Sequence, residues 1–294
     1  MEFLHEYAIG VLLPRLHAFE GPDSQKAADV GAIYMLIDGF YGNSLQDVQF
    51  NICELPDATL EYVITQWTYI QVELSSFSFP KIGSISHFLK GTNATIGKLS
   101  ALKDEIEGSN VFRTLGPFVF QDIVQNTPIF KTFGNGPFNF NHMDMGTQNI
   151  LVDGDFFAII DWEFAQSAPW EVNHYPMPFP QVFSDDKIHK ILEDPDHIAH
   201  HNISRQVYAR GLYRQKFADA ERAFERRGKT LPKSIADTMH GDASRIYAIA
   251  EKIGVFGGME EELTYEMVRL AFGFDGEETK KYLHKMRTEM ESCR

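Results

Sequence analysis

Residues able to do chemistry are concentrated between positions 136 and 171, in GPFNFNHMDMGTQNILVDGDFFAIIDWEFAQSAPWE. Within it, His142-Met143-Asp144, then Asn149, then Asp161-Trp162-Glu163 supply an imidazole, a carboxamide and carboxylates. A carboxylate and a carboxamide at one spot are hard oxygen ligands of the kind magnesium takes, usually one or two carboxylates together with substrate phosphates. A further carboxylate can accept the proton of an attacking hydroxyl while a phosphoryl group moves. Two unpaired carboxylates in a dry site repel each other, and a divalent cation between them removes that repulsion. The residue types therefore point to metal-assisted phosphoryl transfer.

Such a site needs elements that bring distant residues together, since Asp144 and Asp161 are seventeen positions apart. Three short apolar runs, 138–140, 150–152 and 156–160, alternate with polar breaks and read as buried strands. Asp153-Gly154 has the chemistry of a tight hairpin turn. A hairpin turning there returns Asp161 beside the loop that holds Asp144 and Asn149.

HMDMGTQNILVD followed by IIDWEFA resembles the H-x-D-x-x-x-x-N and I-D-W-E signatures of the aminoglycoside-phosphotransferase and choline-kinase-like enzymes, small-molecule relatives of the protein kinases. The likeness is to the fungal-type group, in which a Pro-Phe strand leads into the His-x-Asp loop. The resemblance implies an α+β, protein-kinase-like two-lobed fold with a reduced N-lobe and a mainly helical C-lobe. It implies Asp144 as catalytic base, Asn149 and Asp161 as Mg2+ ligands, and His142 as a structural residue of the catalytic loop. It also implies ATP as co-substrate and a small-molecule hydroxyl or amine as acceptor. Met145-Gly146-Thr147-Gln148 departs from the family's usual Leu-His-Pro-Gly-like interval, so the acceptor class does not carry over. Residues 31–37 are similar to the family's inter-lobe strand, which makes Leu36, Ile37, Asp38 and Gly39 the hinge bordering the purine; an ordinary core or edge strand is the plainer alternative.

On that mapping residues 1–45 are a remnant N-lobe and hinge. Residues 46–294 are a C-lobe containing the catalytic loop (136–171) and a helical subdomain from about 185 to 294. No Gly-rich phosphate loop, lysine strand or helix glutamate of the kinase pattern precedes residue 31, and neither Lys26 nor Lys81 is recommended by its context. Two alternatives to an active kinase follow: a catalytically impaired, pseudokinase-like binding protein, or an incomplete gene model of an active enzyme.

Composition narrows the rest. The chain has 294 residues, 44% hydrophobic and 23% charged, ordinary values for a water-soluble globular protein. A formal charge of −14 argues against nucleic acid or an anionic membrane as partner. Cys53 and Cys293 make no disulfide framework, and no apolar run is long enough to span a bilayer, so a cytoplasmic protein is expected.

Elsewhere the pattern predicts a helix at 1–8, an extended segment at 11–19, a polar loop at 21–30 and a strand at 31–37. A striped helix at 57–74 carries Asp57 as N-cap and Trp67 as packing. A loop at 84–100 and a short helix near 121–125 precede the catalytic stretch, and a proline-rich segment at 175–180 follows it. His197, His200 and His201 read as a solvated helix start in preference to a metal site. Helices at 203–227, 232–253, 260–272 and 277–291 complete the chain. Asp275 and Glu277 read as N-terminal helix charges rather than acceptor contacts.

Overall fold

The computed structural model describes residues 2–8, 10–81, 83–84, 111–131, 136–153, 156–171, 185–255 and 258–292. The loop at 85–100, the turn residues 154 and 155, the segment at 175–180 and Cys293 lie outside the described residues.

The chain begins with α1 (Glu2–Tyr7) and an extended stretch whose Leu4, Ala8, Val11 and Leu13 are buried. Leu12 forms a parallel bridge to Ala158, so this segment lies against the hairpin within residues 136–171. Strand β1 (Leu16–Glu20) then pairs antiparallel with β2 (Tyr34–Ile37). Residues 21–30, expected to be a loop, contain a helix, α2 (Gln25–Val30). Ser24 caps it, its Oγ accepting from Ala27 N at 3.4 Å, and Gly31 at φ 80° ends it. Only Ala27 of this helix is buried, so there was no apolar period to read. Because Gly31 is the left-handed cap, the strand starts at Tyr34, three residues later than expected.

Strand β3 (Asn43–Ser44) leads into α3 (Leu45–Val48) through a capping box between Ser44 and Asp47. Helix α4 (Asp57–Ser75) follows the expected stripe, burying Leu60, Val63, Ile64, Trp67, Ile70 and Leu74. Its N-cap position is Pro56, not Asp57; the Asp57 carboxylate pairs with Arg205 at 2.8 Å instead. Short strands β4 (Ser78–Phe79) and β5 (Gly83–Ser84) come next.

Helix α5 (Phe112–Asn126) is much longer than the expected 121–125, because Gly116 and Pro117 lie inside it. The glycine is required by packing. A Cβ there would stand 2.7 Å from Ile253 Cδ1 and 3.1 Å from Thr264 Oγ1.

After β6 (Phe138–Asn141), β7 (Ile150–Asp153), β8 (Phe156–Ile159) and β9 (Gln166–Ala168), the chain is helical. These helices are α6 (Asp185–Glu193), α7 (His200–Glu225), α8 (Ile235–Thr238), α9 (Asp242–Lys252), α10 (Glu260–Phe272) and α11 (Gly276–Ser292). The helix expected at 232–253 is two, separated at His240-Gly241. Among the described residues no helix is long and apolar enough to cross a membrane.

Two apolar cores result. The first joins the N-terminal segment, α4 and α7, with Trp67 edge-on to Tyr213 and Gln71 donating to the Tyr213 hydroxyl at 2.8 Å. The second joins α5, α9, α10 and α11. Residues 136–171 contribute to both: Phe140, Met145, Ile150 and Ile159 belong to the first, Ala168 to the second.

Candidate functional site

Five strands hold the site. β7 pairs antiparallel with β8 in the register Ile150↔Ile159 through Asp153↔Phe156, as the apolar runs predict. β3 covers the other edge of β7, with Ser44 opposite Leu151. β6 pairs with β9, Asn141 lying opposite Gln166, so the segment after Asp161 returns to the strand that precedes His142. The loop 142–149 is thus clamped at both ends, and the second clamp, β9, was not anticipated.

Ile160 is the point where the parts meet. Its N–H donates to the carbonyl of Asn149 at 3.0 Å, and its carbonyl accepts from His142 Nε2 at 2.9 Å. Asp161 therefore follows directly on a residue fastened to both His142 and Asn149. Asn149 Nδ2 in turn donates to the Asp144 carbonyl at 2.8 Å and to Asp144 Oδ2 at 3.0 Å. These bonds link His142, Asp144 and Asn149 to the residue that precedes Asp161.

Burial assigns His142 its part. The residue is fully buried, with the ring edge-on to Trp162 at a centroid distance of 4.5 Å. Its Nδ1 lies 3.3 Å from the Asp144 N–H, so the neutral Nε2–H tautomer satisfies both bonds, donating to Ile160 and accepting from Asp144. Desolvation pushes its pKa from 6.5 down to about 4, against the opposing pull of the Ile160 carbonyl and the Asp161 charge. A neutral, fully bonded, buried imidazole orients a loop and does not exchange protons near neutral pH.

Two residues in the cluster adopt left-handed backbone that side chains disfavour, Met143 at φ 66° and Asp161 at φ 61°. Asn141 Oδ1 supports the first by accepting from Met143 N at 3.4 Å. Such conformations cost about 1–3 kcal/mol each and collect at functional sites. Both flank side chains with chemical potential here.

The donor set fits a magnesium ion by its chemistry. Asn149 is nearly buried and its Nδ2 is fully used, yet its Oδ1 accepts no hydrogen bond among the described residues. Asp161 is exposed, and its carboxylate has no hydrogen bond among them either. Together they present a carboxamide and a carboxylate oxygen, few enough to leave sites for phosphate and water. No cluster of three or more His, Cys, Asp or Glu residues suited to a metal exists among the described residues. In the His197, His200 and His201 run, His201 pairs with Glu54 at 3.2 Å, and His197 Nδ1 accepts from Ala199 N.

Leu36, Ile37, Asp38 and Gly39, expected to border the purine, lie on β2 and in the two residues that follow it. Leu36 and Ile37 are on β2 with roughly half their surface exposed. Asp38 is tied to β1, its carboxylate 2.5 Å from His17 Nε2 and 3.1 Å from the Arg15 N–H, which holds its pKa below the usual carboxylate range. A Cβ at Gly39 would meet only the Tyr41 hydroxyl, at 4.0 Å. Among the described residues no hydrogen bond or ion pair joins these four to His142, Asn149 or Asp161.

Neither a family model nor a curated protein matches this sequence. Among solved structures the chain is similar to the aminoglycoside phosphotransferase APH(4)-Ia. One such structure is a ternary complex with AMP-PNP and hygromycin B, at 14% identity and TM-score 0.43, covering 93% of this chain and 82% of that one. Another is the crystal structure of the same enzyme at 12% identity and TM-score 0.45, covering 93% and 81%. A likeness at that level assigns no residue its role.

Proposed function

We propose that this protein transfers the terminal phosphoryl group of ATP to a hydroxyl or amine of a small molecule. The observation that supports this best is the double fastening of Ile160, which keeps Asp161 beside the loop where Asn149 grips Asp144. In this reading Asp144 orients the acceptor and takes its proton. Asn149 Oδ1 and the Asp161 carboxylate are the residues that hold Mg2+, which when bound neutralises charge on the phosphates. His142 keeps the Asp144 backbone in place. Residues 1–45 act as a reduced N-lobe, with Leu36, Ile37, Asp38 and Gly39 as the border of the purine, and residues 46–294 act as the helical C-lobe. Catalysis by such a site is almost entirely positioning and charge stabilisation. We take the protein to act in the cytoplasm.

A second reading, a kinase-like fold that binds nucleotide without transferring phosphate, is favoured by one residue. Lys26, the single lysine in residues 1–45, is paired at 3.0 Å with Glu20 on the ribbon. Its ammonium is engaged there, in an exposed pair.

Thermal unfolding with and without Mg-ATP, run on the wild type and on Asp161→Ala, separates these readings. A ligand at ~100 times its Kd stabilises the fold it binds by about 2.7 kcal/mol. A metal-dependent rise confined to the wild type, followed by ATP consumption with one member of an acceptor panel, is the expected result. The rise without turnover selects the second reading. No rise in either folded protein rejects both.

A further inference from the structure

The ribbon of β1 and β2 leaves one edge bare. Among the described residues β2 pairs with β1 alone, and no strand lies along its other side. The registers Phe19↔Met35 and Leu16↔Ile37 put Met35 and Ile37 on one face of the ribbon, with Leu36 on the other. Met35 is 52% exposed, Ile37 43% and Leu36 54%, so the openness is shared by both faces. A strand open on both faces lacks a neighbour at its edge, not a cover on one side. Ile33, just before β2, and Phe19, opposite Met35, are exposed as well.

The two edges of the ribbon differ. β1 carries His17 and Glu20, is interrupted by a register shift between Leu16 and Ala18, and is preceded by Arg15. Charges and bulges are the devices that keep an edge from pairing with another chain. β2 has none of them: residues 31–37 read GAIYMLI, without a charge or a proline. An isolated two-stranded ribbon is marginal in water, and an apolar, uncharged edge is a template for a further strand. A second copy supplies a strand that fits. In a chain of net charge −14 two copies repel each other, and a run free of charge is where their main chains meet at least cost. The pattern is also self-complementary. With Met35 opposite its own counterpart in an antiparallel pair, Ile33 falls opposite Ile37, Tyr34 opposite Leu36, and Asp38 opposite Ala32. Apolar side chains then continue across each face, and the Asp38 carboxylates are kept apart.

We propose that β2 pairs antiparallel with β2 of a second copy, about a two-fold axis at Met35, to make a four-stranded sheet in the order β1-β2-β2-β1. A pair so made is closed, because the guarded β1 edges lie outermost. Half-open side chains of this size each leave roughly 100 Å² uncovered. Ile33, Met35, Leu36 and Ile37, with the main chain between them, therefore bring on the order of 500 Å² per copy. Two copies reach about 1,000 Å², the size at which specific but reversible association begins. The pairing uses residues 33–37 and leaves Gly39 beyond it, and the inference stands whether or not the protein transfers phosphate.

The test is sedimentation velocity of the full chain over a wide range of concentration. A reversible monomer–dimer equilibrium is expected. Met35→Lys, which sets two ammonium groups against each other at the axis, should weaken it by about tenfold or more. Phe50→Lys, at an exposed position off the ribbon, should leave it unchanged. Register is read separately by mild oxidation in a Cys293→Ser background, with the buried Cys53 left in place. Opposite Cα atoms in an antiparallel pair stand about 4.5–5.5 Å apart, inside disulfide reach, so Met35→Cys should link two copies. Ile37→Cys should not, since its two copies are offset by about 13 Å along the strand. A chain that stays monomeric overturns the proposal and leaves the edge to a strand of a different protein. A dimer that Met35→Lys leaves intact overturns it, and so does growth beyond the dimer. Cross-linking through Ile37→Cys in place of Met35→Cys overturns the two-fold axis at Met35.

Discussion

Replacing His142 by glutamine should remove one component of the pH dependence of stability, the one this imidazole supplies. The imidazole is fully buried and its pKa falls from 6.5 to about 4, mainly through desolvation. The folded state therefore prefers the neutral ring, and protonation favours unfolding. Stability from this residue is fully present above the unfolded value of 6.5 and is lost as pH falls toward 4. Linkage with those two values gives a loss of about 2 kcal/mol by pH 5 and about 3 kcal/mol by pH 4. Glutamine has no proton to gain. The difference in unfolding free energy between wild type and His142→Gln, measured by urea titration from about pH 7.5 to pH 5, should shrink by about 2 kcal/mol. Other titrating groups cancel in that difference. A constant difference across the range would refute the assignment of a buried neutral imidazole, and with it the account of how the loop is ordered. Asp161→Asn sharpens the test, because the Asp161 charge raises the His142 pKa. Its removal should push the imidazole's proton uptake to still lower pH, visible directly in the ring's NMR titration.

Three further perturbations are informative. Gly116→Ala should destabilise the protein by about 1–2 kcal/mol in thermal unfolding: alanine gains helix propensity, but its Cβ meets Ile253 and Thr264 where both are buried. Asn149→Ala removes both hydrogen bonds to Asp144, which should cost about 1–3 kcal/mol of stability and abolish any stabilisation by Mg-ATP; retention of the Mg-ATP response would remove Asn149 from the ligand set. Cys53 is a free buried thiol with a pKa pushed by burial to about 11. Iodoacetamide at neutral pH should leave it unmodified in the folded protein and label it in urea, as peptide mass spectrometry will show.

The residues of the candidate site were legible because their chemistry is local. A histidine, two aspartates and an asparagine, with apolar runs between them, carry their meaning in type and spacing, and the β7–β8 hairpin forms where those runs end. Helix α10 matched its expected limits to the residue for a similar reason, with three glutamates in its first turn and Gly273 at φ 68° closing it. What escaped was decided by groups without side-chain identity or by distant contacts. Ile160 joins His142 to Asn149 through its backbone alone, which any residue could supply. The first half of α5 was hidden because Gly116 and Pro117 are helix breakers by local rule, whereas the glycine is demanded by Ile253 and Thr264, well over a hundred positions away.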